Sequence, residues 1–171
     1  LRAADAIAAG LFAEEVAAVT TPGGGRVTTD TIVRGDTSVE ALARLRPVFA
    51  RDGSLTAGNS SPLTDGAASV LLMSEERARD LGYTPLAAFK SWSYVGVDPA
   101  DQLLMGPALA MPKALDRAGL SLNQIDIVDM HEAFAAQVLS ILKMLASDSF
   151  AKLRLDRDKA IGEVDPTKLN L

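Results

Sequence analysis

The chain has 171 residues, with 17 Lys+Arg against 22 Asp+Glu for a net charge of −5, one His and no Cys. Without Cys this stretch carries no disulfide scaffold, thiolate zinc site, iron–sulfur cluster or cysteine nucleophile. The acidic balance argues against nucleic acid or an anionic membrane as partner, and 48% hydrophobic residues mark a globular rather than a disordered chain. Apolar stretches such as Ala67–Met73 fall far short of the roughly 20 residues that span a bilayer. The opening at Leu1 has no basic region before an apolar one and no initiator Met, so we expect no signal peptide and a chain that starts partway through a longer protein.

Residues 3–19 read as helix at first and break at Gly10, after which Phe12–Val19 fits helix or strand. Thr20–Gly25 (TTPGGG) is a turn by composition. No Gly-Lys-Ser/Thr follows it, so it reads as a hairpin tip rather than a phosphate loop. The β-branched run 26–33 reads as strand, and Ser38–Leu45 as a short helix capped by Ser38 and ended by Pro47. Leu55–Ser69 is long, small and polar, the composition of a loop that lets backbone approach a ligand. Val70–Met73 reads as a buried strand, followed by a helix capped at Ser74 and closed by Gly82.

From Pro85 the pattern is strand (Leu86–Val95), loop (97–106), helix (Pro107–Ala118, stopped by Gly119), strand (Ile125–Met130) and helix (Glu132–Ala146). Phe134, Val138, Ile141, Leu142 and Leu145 form the apolar face of that last helix. Alternating β and α units predict an α/β fold with a largely parallel sheet. The charged tail after Ser147 shows few core signals.

His131 stands between the predicted strand 125–130 and the predicted helix 132–146. Ligands of parallel α/β sheets bind at the carboxyl ends of strands. A helix N-terminus disfavours imidazolium, so a neutral ring there can donate an N–H to a developing oxyanion. The alternative is a His that caps the helix and does nothing else. A zinc-protease reading fails, because Ala135 stands where the second His is required. Ser60, Ser61 and Thr64 lie in the small-residue loop, but Gly58-Asn59-Ser60-Ser61-Pro62 lacks the second Gly of a hydrolase nucleophile elbow. Binding is the better reading of that loop. Arg34 and Arg46 are the cations that could meet a phosphate. Residues alone reach an α/β protein with one well-placed His and no reaction.

The stretches RPVFARDGSLTAG, LTAGNSSPLTDGAASVLLMSEE and VGVDPADQLLMGPALAMPKALDRAGLSLNQIDIVDMHEAFAAQ follow one another from about Leu11 to Leu142. Together they resemble the thiolase family of 3-ketoacyl-CoA thiolases (acetyl-CoA acyltransferases). Most thiolases carry Asn-Glu-Ala-Phe where this chain has His131-Glu132-Ala133-Phe134. The His there resembles the branch that forms the β subunit of the fatty-acid-oxidation trifunctional complex.

The resemblance implies a layered αβαβα thiolase fold, incomplete here. Residues 1–54 would end the loop domain, 55–84 would be the last elements of the N-terminal core domain, and 85–171 the start of the C-terminal one. It implies acyl transfer between a cysteine thiolate and CoA in fatty-acid β-oxidation, with no cofactor, no metal, and CoA and a 3-ketoacyl-CoA as substrates. His131 takes the place of the Asn that holds an oxyanion-hole water. Arg34 matches an arginine near the adenine and phosphate end of CoA, and Ser61 a serine that meets the pantetheine. Leu103 stands where some members have a Met beside the pantetheine, and Ala133 and Phe134 line the acyl and pantetheine path. Ala41 stands where some members have a CoA-contacting Ser. The family's nucleophilic Cys and its Gly-His-Pro and Cys-x-Gly-Gly motifs are not in this stretch, so the 171 residues are expected to be inactive alone, with unpaired edges and apolar faces exposed. The parent is expected to be a homo-oligomer, to pair with a hydratase/dehydrogenase α subunit, and to lie in a bacterial cytoplasm, or in mitochondria if eukaryotic. The competing reading is a non-catalytic thiolase-like protein that binds acyl-CoA or lipid.

Overall fold

The computed structural model describes residues 1–171, which form two compact units, Leu1–Arg46 and Pro47–Leu171. The first unit opens with α1 (Arg2–Ala8), which ends before Gly10 takes φ 71°. β1 (Val19–Thr20) and β2 (Arg26–Val27) pair antiparallel, with Val19 opposite Val27. Between them the TTPGGG stretch forms the expected hairpin tip, with Thr21 N–H donating to Gly25 O at 2.8 Å. The strand expected through Val33 stops at Val27. Asp30 Oδ1 takes the Ile32 N–H at 2.6 Å, a local turn that competes with extension. α2 (Val39–Ala43) has the expected cap, Ser38 Oγ accepting from Ala41 N at 3.1 Å.

The second unit is helical around one core. α3 (Glu75–Asp80) is capped by Ser74. It closes with Gly82 at φ 72°, where Gly82 N bonds Arg79 O and Tyr83 N bonds Ala78 O, a Schellman end that satisfies two last-turn carbonyls. α4 (Gly106–Ala118) ends the same way at Gly119, φ 66°. α5 (Ala135–Leu145) and α6 (Asp148–Arg154) follow. Ala108, Leu122, Val128, Met130, Val138, Ile141, Leu145 and Val164 form the buried cluster. Ile141 and Leu145 of α5 are each only 1% exposed, so the apolar face read from spacing is the one that packs.

Three expectations are corrected. The parallel sheet does not form within the chain, whose one sheet is the hairpin β1–β2. Val70–Met73 makes no ladder and Val70 is 79% exposed, and Leu86–Val95 is likewise unpaired. A strand exists only through a neighbour that takes its N–H and C=O groups, and no main chain of this stretch pairs with these two. The two-residue period survives without the ladder. Ser91, Ser93 and Val95 are half-buried while Trp92 and Tyr94 are exposed, and Ser91 Oγ donates to Ala114 O of α4 at 2.7 Å.

The second correction concerns the charged tail, which joins the core: Ala151 and Val164 are buried, and Phe150, Ile161 and Leu169 pack against the cluster. Its charges turn outward into pairs, Arg157 with Asp116 at 2.7 Å and Lys159 with Asp148 at 2.8 Å. The third is the start of the helix after His131, which is Ala135 rather than Glu132. Its cause lies in the site.

Candidate functional site

Two backbone seams meet around residues 131–134. On the first, Val128 and Leu169 form a parallel bridge: Val128 N donates to Lys168 O at 2.8 Å and Asn170 N to Val128 O at 2.9 Å. This is the one remnant of the predicted strand 125–130. Burial alternates along it, with Val128 and Met130 in the core and Ile127, Asp129 and His131 exposed. The period of two carries the His131 side chain outward, off the carboxyl end of the extended run.

On the second seam, Ser60 and Phe134 form an antiparallel bridge. Ser61 N donates to Ala133 O at 2.8 Å and Ala135 N to Asn59 O at 3.0 Å. These bonds take backbone groups that a helix starting at Glu132 would use, and Phe134 is extended at φ −145°, ψ 140°. The helix therefore begins at Ala135, with the Gln137 side chain accepting from Phe134 N at 3.4 Å. His131 stands four residues before the helix, and the macrodipole decays within the first turn, so the dipole argument for a neutral ring does not hold here.

The loop of the second seam is held by its own side chains. Asn59 Oδ1 accepts from Thr56 N at 2.9 Å, Asn59 Nδ2 donates to Ser54 O at 2.9 Å, and Ser60 Oγ donates to Thr56 O at 2.7 Å. Phe134 meets Phe49 edge-to-face, ring centroids 5.9 Å apart.

Between the seams lies an open cleft of about 840 Å³, walled by Gly58–Ser61, by 129–132, by one face of α5 and by Leu169 and Asn170. His131 and Ser61 both line it. The His131 side chain is exposed and makes no hydrogen bond. The wall holds Asp129 and Glu132 and no Lys or Arg, so it suits a carbonyl or amide chain better than a phosphate. Leu103 and Phe134 line a second, apolar pocket of about 300 Å³ with Leu55 and Met105. Ala133 lines neither and contributes its carbonyl to the seam. Arg34 belongs to the first unit, is exposed, and lines neither cleft. Ala41 is in α2 of that unit. No group of three or more His, Asp or Glu is disposed to hold a metal ion.

Sequence reasoning passed over Asn59 and Asn170. For Asn59 the signal was present, an Asn within Gly-Asn-Ser, where side-chain-to-backbone turns are common. Asn170 bonds residues 40 positions earlier, which no local pattern displays.

Comparison with known proteins places this geometry. Residues 1–76 match the family model for the thiolase N-terminal domain and residues 83–170 the model for the thiolase C-terminal domain. The chain is 50% identical over 171 residues to a 3-ketoacyl-CoA thiolase of Alteromonas mediterranea, covering 99% of this chain and 39% of the relative. It is 53% identical over 143 residues to one of Aliivibrio fischeri, covering 83% and 32%. Among solved structures, it superposes on the dimeric peroxisomal thiolase of Saccharomyces cerevisiae with TM-score 0.81 at 34% identity, over 97% of this chain and 38% of that one. Human mitochondrial 3-ketoacyl-CoA thiolase in complex with CoA gives TM-score 0.78 at 34% identity, over 97% and 37%. The backbone thus follows part of that layered fold even where its sheet ladders are missing. The chain spans about 39% of the length of the curated relatives it matches over its full extent.

Proposed function

The chain belongs to the thiolase family, and on that premise we propose that it is part of a 3-ketoacyl-CoA thiolase and supplies a carbonyl-polarising group for acyl transfer. The observation that carries this reading is His131, exposed and unbonded in the cleft it shares with Ser61. An imidazole N–H there donates to the oxygen of the reacting carbonyl or thioester, directly or through one water. As a thiolate adds to the keto carbon, negative charge collects on that oxygen, and the donor stabilises it. The carbon–carbon bond to the acetyl unit then breaks and its electron pair leaves as the acetyl-CoA enolate, which takes a proton and departs as acetyl-CoA. The CoA thiol then gives up its proton and takes the acyl group from the cysteine, restoring the thiolate. The attacking thiolate comes from outside this stretch, which contains no Cys.

The remaining roles follow the walls. Ser61 and the small-residue loop admit the pantetheine arm closely. Leu103 and Phe134 offer apolar surface to the pantetheine and acyl path, with Ala133 fixing the loop against them. Arg34, which lines neither cleft, is assigned to the phosphate end of CoA from the family resemblance alone. We assign residues 55–84 to the end of the first core domain and 85–171 to the start of the second. A role in β-oxidation, a homo-oligomer, an α-subunit partner and a bacterial cytoplasmic setting complete the reading. The dimeric yeast relative supports an oligomer, and the bacterial sources of the curated relatives support a bacterial parent.

The test is thiolysis by the full-length protein, read as acetyl-CoA formed from a 3-ketoacyl-CoA and CoA. Turnover is expected from the full-length protein and none from the 171 residues alone. A full-length protein that binds CoA without turnover would make this a non-catalytic acyl-CoA-binding member, and turnover by the 171 residues would remove the need for a thiol.

A further inference from the structure

Asn170 follows directly on the two rungs of the first seam. The rungs run Lys168 O to Val128 N, then Val128 O to Asn170 N. In a parallel ladder the next rung joins Met130 N to the backbone carbonyl of residue 170. Asn170 instead turns into the left-handed region at φ 48°, and its side chain replaces the missing rung. Oδ1 accepts from Met130 N at 2.7 Å, and Nδ2 donates to Met130 O at 3.0 Å. A carboxamide has the donor and acceptor of a peptide group, so it matches both backbone groups of Met130. Its Nδ2 also donates to Glu132 Oε1 at 2.6 Å. Asn170 therefore grips the residue before His131 and the residue after it, and touches the His ring in neither bond.

We propose that Asn170 is the positioning residue for His131: its side-chain amide closes the ladder at Met130, ties down Glu132, and fixes the direction in which the imidazole between them enters the cleft. This inference rests on the thiolase reading for its kinetic consequence, but its geometric part stands without it. Asn suits the position twice, since it tolerates positive φ better than other side chains with a Cβ and presents both hydrogen-bonding groups. Asp keeps the acceptor for Met130 N, loses both donors, and sets a second carboxylate against Glu132. Gly keeps the backbone turn and loses the side chain.

The experiment uses the full-length protein with Asn170→Asp, Asn170→Gly and the double variant Asn170→Asp/Glu132→Gln. The double variant restores a donor between the two side chains. Thiolysis kinetics and amide hydrogen exchange at Met130 are read on each. Both single variants are expected to lower kcat by about 10- to 100-fold with KM within about twofold, the scale of a misplaced catalytic group. The double variant is expected to recover part of the kcat lost by Asn170→Asp. Met130 amide exchange in Asn170→Gly is expected to rise by about tenfold or more, as a backbone donor loses its bond. Single variants with kcat within about twofold of the parent overturn the positioning role. Unchanged Met130 exchange in Asn170→Gly overturns the clamp itself. If the unmodified full-length protein shows no thiolysis, the functional reading fails, and the Met130 exchange still decides the clamp.

Discussion

His131→Ala in the full-length protein separates a chemical role from a structural one. The ring is exposed and makes no hydrogen bond, so its removal opens no cavity and strands no buried partner. Surface changes of that kind alter stability by no more than about 0.5 kcal/mol. Removing one oxyanion donor, by contrast, costs about 3–4 kcal/mol of transition-state stabilisation, or about 10²–10³ in kcat. The two scales differ by nearly an order of magnitude, so they are readable in one experiment. Steady-state thiolysis should show kcat down by about 10²-fold or more with a modest change in KM, while urea unfolding midpoints coincide. His131→Asn retains an N–H donor and should recover part of the loss. A His131→Ala protein with near-normal kcat would refute the reasoning, as would a kcat loss matched by an equal loss of stability.

Three further outcomes follow from the fold. Gly119→Ala should cost about 1–2 kcal/mol in chemical denaturation; the whole cost is conformational, because φ is 66° and a Cβ would meet nothing within 4 Å, and Gly119→Asn should cost less. Leu145→Ala, at a side chain 1% exposed, should cost about 2–5 kcal/mol in the same assay. The Ala160 N–H bond and then Lys159 hold the Asp148 carboxyl below its ordinary value of 3.8, so the folded state keeps this charge to lower pH than the unfolded state does. Its contribution is present above about pH 4 and lost as pH falls through the lowered value; urea unfolding of Asp148→Asn at several acid pH values should show a shallower fall, and an unchanged slope would contradict the assignment.

Most helices and their ends are legible because their causes are local; the start of α5, set by the distant Asn59–Ser61 loop, is not. Ser38 and Ser74 cap, Gly82 and Gly119 close, and the spacing of Val138, Ile141 and Leu145 picks the buried face, all within a few residues of one another. Outside the β1–β2 hairpin, strands are not legible because their cause is not local. Leu86–Val95 carries the right alternation, and half of it is expressed against α4, yet alternation states which face is apolar and not whether a neighbour exists to pair with. The tail was misread for a related reason. Its charges dominate the composition, while Ala151, Ile161 and Val164 are spaced too irregularly to show a period. His131 was found by its place after an extended run, which held, and by its place at a helix end, which did not.

The displaced helix start is also what makes the site. A helix beginning at Glu132 would place residues 132–134 within its own hydrogen-bonding pattern and carry His131 as its cap. Instead the groups of Ala133 and Ala135 are given to Ser61 and Asn59, and those of Met130 to Asn170. Forfeiting the extra turn of α5 costs a few intrahelical bonds, and the seams replace them with bonds of equal kind, so the exchange is near neutral in hydrogen bonding. What changes is position. Residues 131–134 become a short bridge pinned at one end by main-chain bonds to Asn59 and Ser61 and at the other by the Asn170 side chain, with the imidazole on the side facing the cleft. A group required to meet a developing charge works best when its support is rigid and already paid for in folding. The two seams, with the Asn170 side chain closing the first, provide that support without consuming the His side chain, which is left free to bond whatever enters.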